Sequence, residues 1–544
     1  MLWGSVISPP VNHTSNVTDH REDRMAGPQV QTKYGIVEGA RENDQNVFRG
    51  IPFAKPPINE LRWCAPEEPE SWEGVKVCTE FSAVCAQESF PAEIEMKIMD
   101  VPGSQSEDCL YLNVWSEGET DKKPVMVWIH GGGLGLGAAS QPLYDGQYLA
   151  RKGVVVVTIN YRMGALGFLH LDTVTDGAIP ATGNEGFLDQ IAALEWVRDN
   201  IAGFGGDPGN VTIFGESAGG WSVTALMAMP RAKGLFHKAI AQSGVSNAAL
   251  SLDHAADLGR EFLNDVANDP TDAEALRALP ADKVLSAGSS FVRSIAALMT
   301  GQGEANRYHR AVIDGDTLPG SVLDLIADGA SSEVVLMAGT TRDEMAAAVA
   351  PGASQEEVEE VVSKSAYGIE TKDMIELYRQ SRMKHLARVG DAEVASAIIT
   401  DATMRIPCIR LIEAQRKHQP SYHYIVTWST PAGDGAAGAN HGIELGFVFG
   451  THEIDQDHAT AFGQGPAAAG LANAVMDAWT NFAKTGDPSS DTLGSWPAYG
   501  DNRETMMIGE QTTVREAPYE EERQAWEAHD NKVLERPPFE IRFR

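Results

Sequence analysis

The sequence predicts an α/β fold with a large, mostly parallel central sheet, helices on both of its faces and helical cap insertions. Three observations predict it. Short runs at 125–129, 154–159, 211–214, 334–337 and 424–428 are apolar at nearly every position and end in turn residues. A strand buried on both faces reads this way, because neither face meets water. Helical patterns such as 188–200 alternate with these runs, which places crossover helices on the two sides of a parallel sheet. Two longer stretches, 252–285 and 354–418, look mainly helical and read as insertions between core strands. They either cap a pocket or extend the scaffold.

The elements have local signals. Ser354 and Glu357 have the spacing of a capping box, in which each side chain satisfies a free N–H of the first turn. Leu471, Val475, Trp479 and Phe482 recur at helical spacing, and Gly486 and Pro488 supply the stop. The 544 residues, 43 % of them apolar, show no internal repeat or linker. Residues 25–544 are therefore expected to form one domain, behind a leader at 1–24 expected to be disordered. The leader is polar and mixed in charge, a poor secretory signal.

The formal net charge of -33 repels phosphate backbones and anionic membranes. Nucleic acid and membrane are not expected partners. The strongest apolar run has strand length, far short of a bilayer span. The five cysteines are odd in number and lack C-x-x-C spacing, which argues against a zinc site or a disulfide scaffold. A cytoplasmic location is expected. Oligomeric state is not legible.

The run 211–214 leads directly into Gly215-Glu216-Ser217-Ala218-Gly219, and a helical pattern at 218–229 follows. A G-x-S-x-G sequence between a strand and a helix is a nucleophile elbow: the sharp turn strains the serine and lifts its hydroxyl into the open. The helix aims its positive end at the site, which favours developing negative charge. The run 125–129 leads into His130-Gly131-Gly132-Gly133. Such a loop lets backbone N–H groups approach a carbonyl oxygen as it becomes an oxyanion. The expected donors are the amides of Gly132, Gly133 and Ala218. His130 reads as a structural brace. The glycines from Gly133 to Gly137, with Ala138, also match a loose dinucleotide fingerprint. The acid that fingerprint requires at the end of the next strand is absent from 154–162.

A serine hydroxyl needs a base, and the expected chain order is Ser, then Asp or Glu, then His. Of fourteen histidines, His441 stands out. It follows the run 424–428 across a Gly- and Ala-rich loop at 431–440. His237 and His309 precede the acid in the chain, and His452 and His458 are later candidates. The run 334–337 leads to Asp343 and Glu344, and position alone does not choose between these two carboxylates.

From about Tyr34 onward the chain resembles the type-B carboxylesterases of the α/β-hydrolase fold, the group of the cholinesterases and bacterial para-nitrobenzyl esterases. The resemblance rests on Phe48-Arg49-Gly50-Ile51-Pro52-Phe53-Ala54, Ser106-Glu107-Asp108-Cys109-Leu110-Tyr111-Leu112-Asn113, the glycine loop and Asn160-Tyr161-Arg162. It continues through Phe204-Gly205-Gly206-Asp207-Pro208, the elbow, Gly339-Thr340-Thr341-Arg342-Asp343-Glu344 and Asn440-His441-Gly442. It implies a serine esterase with Ser217, Glu344 and His441 as the triad, Glu216 and Ser243 in support, no metal and no cofactor, acting on a small-molecule ester. It implies Met345 where relatives carry Gly, with an effect on the turn or the pocket. It also implies an equivalence of Cys85 and Cys109 to a cysteine pair that secreted relatives bond. Two other readings stay open: a non-catalytic, cholinesterase-like binding module, and an amide or carbamate hydrolase using the same triad. Met163, Trp221 and Phe447 are expected near the pocket.

Overall fold

The computed structural model describes residues 27–89, 100–118, 122–288, 290, 292–294, 309–346, 349, 352–365, 370–385 and 389–529. The leader expected at 1–24 lies outside them. Among the described residues, eleven strands join one sheet. They are β1 (Ala40–Glu42), β2 (Gln45–Pro52), β3 (Tyr111–Ser116), β4 (Lys123–Ile129), β5 (Val155–Ile159), β6 (Gly206–Glu216), β7 (Lys238–Gln242), β8 (Val335–Thr341), β9 (Ser421–Val426), β10 (Glu504–Ile508) and β11 (Thr513–Glu516). The spatial order is β11-β10-β9-β8-β7-β6-β4-β5-β3-β2-β1. From β5 to β10 every neighbouring pair is parallel. The flanking strands are antiparallel.

The apolar runs of the sequence fall on β4, β5, β6, β8 and β9, which sit inside the sheet. Burial on both faces explains their composition. Along β4, Val125, Val127 and Ile129 enter one core cluster while Met126 and Trp128 enter the other, the period-two alternation of a strand. The first core receives α1 (Glu185–Asn200) and α2 (Ala218–Ala228).

The stretch 252–285 contains α3 (Leu252–Val266) and two short helices, Ala273–Arg277 and Ala281–Ser286. The stretch 354–418 contains α4 (Gln355–Ser365), α5 (Thr371–Lys384), α6 (Asp391–Thr400), a π-helical turn at Asp401–Arg405 and α7 (Ile406–Gln415). The capping box forms: Ser354 N donates to Glu357 Oε2 at 2.7 Å, and Glu357 N donates to Ser354 Oγ at 3.3 Å. Helices α4 to α6 build an apolar core of their own with Trp526, whereas Cys408, Leu411 and Ile412 of α7 join the sheet core. The stretch thus does both jobs, one insertion with its own core and one scaffold helix.

On the opposite face lies α8 (Pro466–Thr485). It buries Leu471, Val475, Trp479 and Phe482 and stops at Gly486, whose N–H donates to Phe482 O at 2.8 Å. A last helix, α9 (Glu520–Ala525), packs against α5.

Within the parallel block two strands carry no such apolar run. One is β7, which reads Lys-Ala-Ile-Ala-Gln yet is buried throughout. Its polar ends are bonded: Lys238 donates to Asn210, and Gln242 Oε1 accepts from Trp479 Nε1 at 3.2 Å. The other, β10, opens with Glu504 and Thr505 before its apolar residues.

Candidate active site

Ser217 sits between the end of β6 and the start of α2 with φ 56° and ψ -121°. A side chain rarely occupies this region, and holding it there costs about 1–3 kcal/mol. Neighbouring backbone holds it: Ser217 N donates to Gln242 O at 2.9 Å, and Trp221 N donates to Ser217 O at 2.9 Å. The first link ties the turn to β7.

The glycine loop follows β4. Gly132 has φ 107° and Gly133 φ 61°, and Gly132 O accepts from both Gly135 N and Leu136 N at 3.0 Å. A Cβ added to Gly131 would stand 3.2 Å from Ser217 Cβ, so the loop lies against the elbow. Among the described residues, the N–H groups of Gly132, Gly133 and Ala218 have no protein partner. His130 braces this loop. Its ring stacks on Tyr161 at 4.5 Å, and Tyr161 Oη donates to His130 O at 2.8 Å. Burial pushes the His130 pKa down to about 4, so the ring is neutral near pH 7.

The candidate acid and base come from the turns after β8 and β9. Glu344 is buried, and its Oε1 accepts from Thr341 N at 2.7 Å. Its Oε2 lies 2.5 Å from His441 Nδ1. On the other side of the imidazole, Nε2 stands 3.2 Å from Glu216 Oε1, without the alignment of a hydrogen bond. Ser217 Oγ makes no hydrogen bond among the described residues. Glu344, His441 and Glu216 are thus in direct contact, with Ser217 next in the chain to Glu216.

Burial disfavours a charged His441, but the facing carboxylates of Glu216 and Glu344 outweigh it and hold its pKa above the ordinary imidazole range. Burial pushes the Glu216 carboxyl up. Burial first, then the charges of Glu216 and Glu344, does the same to Glu444. Glu444 carries no motif of its own in the sequence. It is buried three residues after His441, and its Oε1 accepts from Gln242 Nε2 at 3.4 Å. Its signal was a lone carboxylate among Ile443, Leu445 and Phe447.

Ser243 follows β7 with φ 47°, and its Oγ is buried without a partner. His237 Nδ1 accepts from Val211 N at 3.2 Å, and His458 Nδ1 faces Asp455 Oδ1 at 2.8 Å. Two of the three expected pocket residues belong instead to the packed core: Met163 and Phe447 are each 1 % exposed. Trp221 is partly exposed. Met345 packs against the α4–α6 core, and its N–H donates to Thr400 Oγ1 at 3.2 Å, so it serves the insertion. Cys85 and Cys109 are buried free thiols. A cleft of about 840 Å³ lies away from this site, between α7 and α9, lined by Arg410, Arg503, Arg523 and Trp526. Its arginines are engaged by Glu413, Glu520 and backbone carbonyls.

Residues 26–526 match a family model described as the carboxylesterase family. The chain is 38 % identical over 502 residues to a para-nitrobenzyl esterase of Bacillus subtilis (strain 168), covering 91 % of this chain and 97 % of that one. It is 32 % identical over 575 residues to carboxylesterase 1D of Rattus norvegicus, covering 98 % and 96 %. A solved structure of a thermophilic PNB esterase matches with a TM-score of 0.78 at 37 % identity, covering 91 % of this chain and 99 % of that one.

Proposed function

The chain belongs to the carboxylesterase family and is a carboxylic-ester hydrolase of the α/β-hydrolase fold; from that premise we propose that Ser217 is its nucleophile, His441 its base and Glu344 its acid. The observation that supports this most is the 2.5 Å contact between His441 Nδ1 and Glu344 Oε2, at the same sheet edge as the left-handed Ser217.

The contact fixes Nδ1 and leaves Nε2 as the working nitrogen. Nε2 exchanges Glu216 for the Ser217 hydroxyl as substrate closes the site, since catalytic hydrogen bonds often tighten only in the complex. Ser217 Oγ attacks the ester carbonyl carbon, and His441 takes the hydroxyl proton. The amides of Gly132, Gly133 and Ala218 hold the oxyanion. The alcohol leaves with the proton from His441, giving an acyl-enzyme. Water then attacks the acyl carbon with His441 again as base, the acid is released, and Ser217 regains its proton. Glu344 keeps the imidazole in one tautomer and stabilises its cation. Glu216 and Ser243 support the elbow.

A stoichiometric fluorophosphonate probe tests the assignment. It is expected to label the folded protein once, on Ser217, and Ser217→Ala is expected to abolish labelling. A folded parent that resists the probe would overturn the assignment of Ser217. The similarity to a para-nitrobenzyl esterase makes a neutral para-nitrobenzyl ester the first substrate to assay, with the matching amide and carbamate beside it. The same proposal includes one domain over 25–544, supported by strands of one sheet spanning Ala40 to Glu516. It also includes a cytoplasmic location, supported by five free cysteines. Among the described residues no helix is long and apolar enough to cross a membrane.

A further inference from the structure

The acid and the base sit on different loops, and their contact lasts only while the two loops stay in register. Asp343, next to Glu344, spans that gap. Asp343 N donates to Ala439 O at 3.0 Å, and Ala439 N donates to Asp343 Oδ2 at 2.9 Å. These two bonds grip the base loop two residues before His441. The loop is closed behind the grip by Thr430 N donating to Gly438 O at 2.8 Å.

The gripping carboxylate is itself held. Its Oδ2 accepts from Arg342 Nε at 2.9 Å and Nη2 at 2.8 Å, and Arg382 Nη1 of α5 stands 3.6 Å from Oδ1. Arg382 in turn faces Glu522 of α9 at 3.7 Å. With its side chain only 12 % exposed, Asp343 is anchored on one side to the half-buried Arg342 and the buried Arg382 and on the other to the backbone of the base loop. The adjacent carboxylates divide the work: Glu344 meets the imidazole, and Asp343 meets the chain that carries it.

We propose that Asp343 is a positioning residue, a clasp that keeps His441 in reach of Glu344 and the Ser217 hydroxyl. The proposal rests on the triad reading above. A displacement of about 1 Å at a reacting group costs on the order of 100-fold in rate. Asp343→Ala is therefore expected to lower kcat on para-nitrophenyl acetate by about 100-fold, with KM within roughly twofold because the clasp touches no substrate. Asp343→Asn keeps an oxygen for the Ala439 N–H and is expected to recover about tenfold of that loss, the worth of one hydrogen bond.

Thermal melting reports whether each variant folds. Where Asp343→Ala does not, Gly438→Ala replaces it. Gly438 has φ +61° and its added Cβ would stand 2.3 Å from Asp343 Oδ2, so this change pushes the carboxylate off the Ala439 amide. The same fall in kcat at constant KM is expected. A folded Asp343→Ala or Gly438→Ala with near-parental kcat overturns the clasp, as does a loss carried by KM, or an Asp343→Asn no better than Asp343→Ala. Ser217→Ala separates the two readings. If it is inactive while Asp343→Ala is fully active, only the clasp fails; if Ser217→Ala keeps turnover, the triad fails first.

Discussion

Buried charge is treated in opposite ways at the helical insertion and at the sheet edge that carries Ser217. Beside α5 and α9, Arg405 pairs with Asp401, at 2.6 Å from Nε to Oδ1, and with Glu522 at 3.0 Å, while Arg382 faces Glu522. Tyr378 Oη donates to Asp401, and Trp526 Nε1 donates to Tyr378 Oη at 2.7 Å. Two buried carboxylates meet two guanidinium groups. At the sheet edge, Glu216, Glu344 and Glu444 surround a single imidazole, and Glu444 Oε2 and Ser243 Oγ are buried without partners. The paired charges hold the helices together, although burial still pushes the Glu522 carboxyl up. At the sheet edge the carboxylates outnumber the one imidazole, and their charge favours its protonated form.

The largest effect expected from this contrast is chemical. Ser217→Ala should lower ester turnover at least about 10⁴-fold while the unfolding midpoint stays where it is. Turnover near the parental value would break the comparison at its catalytic end. Next is Arg405→Met, which takes the guanidinium from Asp401 and leaves Glu522 with Arg382 alone. Removing one partner of a buried pair costs about 3–5 kcal/mol, read by denaturant unfolding, and turnover per folded molecule should change far less. A stability loss close to zero would show that the balanced network holds nothing.

Gly132→Ala comes third. The new Cβ would meet Leu136 O at 2.0 Å from a φ of +107°, which forces the donor loop to move. The expected loss is about 10²–10³-fold in kcat, and a parental rate would remove this loop from the oxyanion site.

The smallest effect sharpens the electrostatics. The carboxylates of Glu216 and Glu344 raise the His441 pKa, and His441 in its proposed role as base works only when neutral. Activity therefore falls as pH drops through that pKa. Glu216→Gln removes the negative charge facing Nε2, lowers the pKa and moves the acid limb of kcat/KM to lower pH, by about one unit. A limb that stays put or moves upward would mean that Glu216 carries no charge in the working enzyme.

Much of this is legible in the amino-acid sequence. The apolar runs mark five inner strands because burial on both faces leaves few positions for a polar residue. The elbow and the glycine loop were legible because a strained turn and a close backbone approach both demand specific residues at fixed spacing. β7 was not legible, because its lysine and glutamine find partners only across the fold. Met163 and Phe447 read as pocket residues because an apolar side chain looks the same in a pocket and in a core. Glu444 is not legible in the sequence because its burial depends on Gln242 and the packing around it.

From the sequence come five inner strands, the elbow, the glycine loop and a short set of candidate acids and bases, which follow from local spacing and side-chain chemistry, and the family resemblance implies Glu344 and His441 among them. The tertiary structure decided which carboxylate meets which partner. Asp343 and Glu344 are neighbours in the chain and nearly alike in chemistry, but one reaches the imidazole and the other the backbone of its loop. That division depends on where β8 and β9 end relative to one another, a distance in space that no local pattern encodes.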